Sequence, residues 1–116
     1  MNKNRLAIAK IEWLTAAAGG RTSGPPPGPT YRAPARVGSW TGNAPQDANF
    51  TLEAKLISKE DDFHWDAVME FIVAEAPHNS LQRDAAFEFY EGRRCVARGR
   101  IIDVLAKDAA DTIEQR

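Results

Sequence analysis

The chain has 116 residues, 43% of them hydrophobic and 27% charged, with a formal net charge of −1 at pH 7. That is the length and balance of one globular, soluble domain able to bury a core of its own, and no window approaches the roughly 18 uninterrupted apolar residues of a membrane-spanning helix. Met1-Asn2-Lys3-Asn4-Arg5 leads into a mixed segment rather than a signal-peptide core, and Cys95 is the single cysteine, which excludes an internal disulfide and fits a reducing, cytoplasmic compartment.

From Leu6 to Leu14 apolar residues occur at nearly every position, and in the second half Ala9, Ile11 and Trp13 take one face and Lys10 and Glu12 the other. That is the period of a strand. Ala16-Ala17-Ala18 is too short to stand as a helix and belongs to the following loop. In Gly19 to Tyr31, two glycines permit positive φ, and Pro25-Pro26-Pro27 donate no backbone hydrogen bond. A stiff, extended spacer of polyproline character is expected there. Tyr31 to Trp40 is broken by Pro34 and Gly38 and reads as an irregular or edge strand, and residues 41–47 read as a loop.

The clearest alternation follows, with Phe50, Leu52, Ala54 and Leu56 between Thr51, Glu53 and Lys55. Ser58 to Asp62 reads as a charged turn, and Trp65, Ala67, Met69, Phe71 and Val73 form the returning strand of a hairpin. Ala74 to Asp84 is a loop with room for one helical turn. A second hairpin runs from Phe87 and Phe89 through the turn Glu91-Gly92-Arg93-Arg94 to a last strand, Cys95 to Val104, with glycine where positive φ is needed. In that strand Val96, Arg98, Arg100 and Ile102 share one face and Ala97, Gly99 and Ile101 the other; Gly99 marks a bend, a bulge or a close backbone approach. The tail, residues 105–116, has Leu105, Ala109 and Ile113 at helical spacing and predicts a short helix. Five or six strands without a long amphipathic helix make residues 1–104 one all-β domain, a barrel or a sandwich.

The order of these features resembles the C-terminal β-barrel domain of elongation factor Tu. The resemblance rests on Ile11-Glu12-Trp13-Leu14-Thr15, Gly19-Gly20-Arg21, Tyr31-Arg32, the strand from Phe50 to Ile57, and Phe87 to Arg94 running into Val96-Ala97-Arg98-Gly99-Arg100-Ile101. It covers roughly residues 5–104 and implies a closed six-stranded antiparallel barrel. In that family the barrel packs against a GTPase domain and touches the acceptor and T-stem region of tRNA and a nucleotide-exchange factor. By the same resemblance, Arg21 matches an arginine near the tRNA backbone, and Glu91 and Gly92 match a pair beside the T stem. The chain departs from the family at Ala76 and Pro34, and it carries no Gly-x-x-x-x-Gly-Lys-Ser/Thr phosphate loop, so the resemblance is to the barrel alone.

Catalytic chemistry finds no constellation in this chain. His64 and His78 lie a whole strand apart, without metal spacing to Cys95, and read as loop histidines. Arg93 and Arg94 beside Cys95 would favour a thiolate, but no base accompanies it, and a buried strand cysteine is the better reading. We therefore expect a non-catalytic binding module without cofactor or metal.

The arginines are the distinctive feature. Residues 1–36 carry a balance of +5, residues 37–88 a balance of −7, and Arg93, Arg94, Arg98 and Arg100 fall within eight positions. If the first and last strands are neighbours, one side of the domain is basic and suits an anionic partner. Arg93, Arg94, Arg98 and Arg100, extended by Arg21 and Arg32, would then form a ridge for tRNA or another structured RNA, with Tyr31, Tyr90 or Trp40 for stacking. The alternative is that the arginines pair with Glu53, Glu70 and Glu88 across strands and that the barrel docks a protein partner or a second copy. Where each arginine finds a carboxylate, the second reading gains.

Overall fold

The computed structural model describes residues 5–38, 50–74, 76 and 78–106. Six strands, β1 (Arg5–Trp13), β2 (Thr30–Val37), β3 (Phe50–Asp61), β4 (His64–Phe71), β5 (Ala86–Glu91) and β6 (Arg94–Ala106), close into an antiparallel barrel in the order β1-β4-β3-β2-β5-β6. The all-β class and the closed six-stranded barrel expected from the sequence are both present. Closure gives each of these strands a hydrogen-bonded neighbour on both sides, which limits the hazard of edge-to-edge association.

Period two decides what fills the barrel. On β1, Ala7, Ala9, Ile11 and Trp13 point inward and are at most 2% exposed, while Lys10 points out. Inward positions mix small and large side chains, because six strands enclose too little volume for a large side chain at each. Alanines occupy one share: Ala7, Ala9, Ala54, Ala67 and Ala97 are fully buried. Aromatic rings fill the rest. Trp13 meets Tyr31 edge-on at 4.8 Å and Trp65 at 5.0 Å, and Phe89 lies 5.3 Å from Tyr31. Burying a ring such as Phe89, at 0% exposure, contributes about 2–3 kcal/mol.

Several boundaries differ from the sequence reading. β2 is not an edge strand: it pairs with β3 from Thr30 to Ala35 and with β5 from Ala35 to Val37. Pro34 is tolerated because it lies opposite Thr51 before the β5 ladder begins, so its missing N–H costs no pairing on that flank. The charged run Ser58 to Asp61 belongs to β3, and the turn is Asp62-Phe63. Charged residues continue the ladder there because their side chains face solvent. β6 runs through Leu105 to Ala106, so the expected tail helix does not begin at 105; residues 107–116, Trp40 and the predicted loop 41–47 lie outside the described residues.

The glycine-proline segment is not a straight spacer. Gly24 and Gly28 take φ of +85° and +82° and turn the chain back, Pro26 is buried, and the Pro29 carbonyl accepts a hydrogen bond from the Leu56 N–H at 2.7 Å. The segment thus packs onto the barrel beside Leu56 and Trp65. Ala16–Ala18 forms a single 3-10 turn capped by the Thr15 hydroxyl, and His78–Ser80 forms another inside the loop before β5.

Gly99 does mark a close backbone approach. A Cβ on it would stand 2.1 Å from the Lys10 carbonyl oxygen and 2.5 Å from Phe87 Cζ, so only glycine lets β1, β5 and β6 pinch together here. Register shifts at Ile8/Ala9 between β1 and β6, and twice toward the end of β3, add bend and twist around it.

Candidate binding groove

The arginines do not form one ridge. At one end of the barrel, Arg21 from the glycine-proline segment and Glu91 from the β5–β6 hairpin face each other, with Arg21 Nε 3.0 Å from Glu91 Oε2. Tyr31 Oη donates to the same carboxylate at 2.5 Å, and Arg21 Nη1 donates to the Gly24 carbonyl at 2.9 Å. Arg94 reaches the Gly20 carbonyl at 3.4 Å. Gly92 supplies the hairpin turn with φ of +63°. Burial, and then the Glu91 carboxylate, push the Tyr31 phenol far above its ordinary pKa. These residues knot the loop to the hairpin. Arg93, exposed at the hairpin tip, pairs with no carboxylate among the described residues.

Arg32 lies elsewhere, on β2, where its Nε is 2.6 Å from Glu53 of β3, its direct partner in register. Tyr31 and Tyr90 are 9% and 4% exposed and are core residues rather than stacking platforms. Tyr90 instead carries the Arg36 guanidinium at 5.3 Å over its ring.

Arg98 and Arg100 stand on the outer face of β6, in a groove of about 650 Å³ formed over the pinch at Gly99. Outward residues of β4, β1, β6 and β5 make its floor, with Glu60 from the end of β3 and Arg36 from the end of β2 at its flanks. Two cross-strand rows line it. In the first, the register sets Asp61 against His64, His64 against Glu12, Glu12 against Arg98, Arg98 against Glu88, and Glu88 against Arg36. The signs alternate, and the pairs form: Asp61 to His64 at 2.9 Å, Arg98 to Glu12 at 3.2 Å, and Arg36 to Glu88 in a short charge-assisted contact. Burial alone would raise the Glu88 carboxyl, but hydrogen bonds from Tyr90 and Arg36 outweigh it and hold its pKa below the usual carboxylate range. The hydrogen bond that His64 Nδ1–H donates to the Asp61 carboxylate raises the imidazole pKa.

The second row runs Asp66, Lys10, Arg100, Ala86. Lys10 Nζ bonds Asp66 at 2.9 Å, which raises the ammonium and lowers the carboxyl. Arg100 is left between a cation already engaged and a methyl group. It pairs with no carboxylate among the described residues. Sequence reasoning named Arg98 and Arg100 but missed Lys10, Arg36, Glu12 and Asp66 as their neighbours. The period-two pattern had placed Lys10 and Glu12 outward, yet only the register of a closed barrel brings them beside β6.

The titratable groups considered for catalysis are engaged structurally. His64 opens β4 rather than lying in a loop; His78 does lie in the loop before β5 but is 1% exposed, and its Nε2–H faces the Val73 and Ala74 carbonyls at 3.0 and 3.1 Å. Phe71 covers the ring edge-on at 5.9 Å. Cys95 is half-buried; burial, then the Glu88 carboxylate, push its thiol up, the opposite of the thiolate that Arg93 and Arg94 would favour. No group of three His, Cys, Asp or Glu side chains among the described residues is placed to hold a metal ion. No helix among them is long and apolar enough to cross a membrane. Comparison of the chain with known protein families, with curated proteins and with solved structures gives no match in any of the three.

Proposed function

We propose that the chain is a non-catalytic protein-interaction module, a barrel that docks a protein partner through its charged outer face. One observation carries this reading: Arg21, Arg32, Arg36, Arg83 and Arg98 each stand against a carboxylate. A polyphosphate brought to any of these arginines meets Glu91, Glu53, Glu88, Asp103 or Glu12 beside the cation, so repulsion offsets the attraction at each. A surface of alternating fixed charges instead gives a protein partner its register and suppresses wrong partners. The resemblance to the C-terminal barrel of elongation factor Tu, which the six-stranded architecture is compatible with, agrees with such a role, since that domain docks other macromolecules without catalysing a reaction.

The test is capture from cell extract on the immobilised protein, beside a variant carrying Arg98→Glu and Arg100→Glu. A protein retained by the wild type, lost from the variant and indifferent to ribonuclease is the expected outcome. A captured species that disappears with ribonuclease overturns it.

A second reading, contact with tRNA or another structured RNA, is favoured by the hairpin tip alone, where Arg93 and Arg94 hold no carboxylate among the described residues. A salt titration of labelled bulk tRNA decides it. Phosphate contact through the tip predicts a steep loss of binding with salt and a slope smaller by about one or two in the Arg93→Ala, Arg94→Ala variant; weak binding with an unchanged slope removes it.

A further inference from the structure

The groove over Gly99 has an internal asymmetry that goes further than the docking role it rests on. Among the described residues, every cation lining it but one stands against a carboxylate as its register partner: Lys10 against Asp66, Arg98 against Glu12, Arg36 against Glu88. The exception is Arg100, whose partners across β1 and β5 are Lys10 and Ala86. On the opposite flank Glu60 is the acid without an ion pair among the described residues. The groove is therefore nearly neutral in sum and polarised across its width, with a spare cation over β6 and a spare anion at the end of β3.

We propose that this groove binds an extended segment of a partner protein that presents a side-chain carboxylate to Arg100 and a cation toward Glu60. The physical case has three parts. A volume of about 650 Å³ falls in the size range of sites that take a small bound group, here in a groove open to solvent. Ala86, opposite Arg100 on β5, leaves space where the first row has a side chain, so the guanidinium fork is open to a bidentate carboxylate. From β5 to β3 there are four interstrand spacings of about 4.8 Å, at most about 19 Å, which is the reach of about six extended residues at about 3.3 Å each. A polyanion is disfavoured, because Glu12, Glu60, Asp66 and Glu88 all line the same walls.

The experiment uses a phage-displayed library of random hexapeptides panned on the intact protein, on Arg100→Gln and on Ala86→Glu, each checked for native circular dichroism. Arg100 is exposed and makes no ion pair among the described residues, so its substitution leaves the fold in place; Ala86→Glu fills the gap with an internal carboxylate and blocks the fork by a different route. The expected result is enrichment of peptides carrying Asp or Glu together with Lys or Arg on the wild type, with affinity of a selected peptide falling about tenfold or more in both variants. Its amide-shift footprint in two-dimensional NMR should centre on Ala86, Gly99 and Arg100. Peptides that bind equally well to both variants overturn the groove while leaving the protein-docking role intact. Failure of any peptide to enrich overturns the groove, and the role falls separately if the capture experiment also retains no protein. Binding that inorganic phosphate alone displaces, with no preference for carboxylates, replaces the inference with a plain anion site.

Discussion

The knot at Arg21, Glu91 and Tyr31 and the groove at Arg98 and Arg100 use the same side-chain chemistry to opposite ends. In the knot, one carboxylate takes a phenol at 2.5 Å and a guanidinium at 3.0 Å, and the Arg21 fork is completed by a backbone carbonyl. Charge is matched there, although the buried Arg21 Nε makes no hydrogen bond among the described residues. In the groove, matched pairs surround one guanidinium, Arg100, that has none among the described residues. An arginine's presence in a sequence therefore says little about its task; the identity of the residue opposite it across the strand says most. The charges of the knot fasten two loops, whereas the spare charge of the groove is available to an outside group.

The change expected to break the groove most completely is Gly99→Val. Its Cβ would enter the space of the Lys10 carbonyl oxygen, 2.1 Å away, and of the Phe87 ring, and a backbone oxygen in a ladder cannot step aside. A loss of about 3 kcal/mol or more, read by chemical denaturation, is expected. Near-wild-type stability would mean that β1 and β6 are not pinched as described, and the groove would have no structural basis.

At the knot the effect is smaller and carries a pH signature. Tyr31→Phe removes one hydrogen bond to a carboxylate that stays half-exposed and paired with Arg21, so a cost of about 1 kcal/mol is expected. Because the folded phenol pKa is raised, by burial first and the carboxylate second, its contribution is fully present below the unfolded tyrosine pKa of about 10 and is lost as pH rises toward the folded value. The wild type should therefore lose stability above about pH 10 more steeply than the variant. Parallel curves would place the phenol in a solvated site and separate the loop from the hairpin.

Much of this contrast was legible before the fold, and the unread part has a common physical origin. Period-two alternation sorted inward from outward residues on β1 and β4 and on most of β3, β5 and β6, where Glu53, Tyr90 and Val96 are buried against it; Gly92 declared a turn and Gly99 a bend, a bulge or a close approach, because those are local properties of the chain. The ion pairs were not local: Arg98 and Glu12 are 86 positions apart and meet only because β6 closes onto β1. Pro34 misled for the same reason, since its missing donor reads as an edge until the ladders on both sides are known. The glycine-proline segment misled differently, as composition gave its stiffness but not the turns at Gly24 and Gly28 that fold it onto Leu56.

The smallest expected effect is also the one that bears most directly on why Arg100 is alone. Ala86→Glu sets a carboxylate directly opposite it on β5, a cross-strand pair that contributes about 0.2–1 kcal/mol. The variant should therefore be slightly more stable than the wild type, with the difference shrinking as salt screens the pair. A gain of that kind would mean that the barrel forgoes an available ion pair at the one position where an open guanidinium serves an incoming partner. A loss would mean that Ala86 is small because the β5–β6 surface has no room there, which would also close the path that the groove offers to a partner's carboxylate.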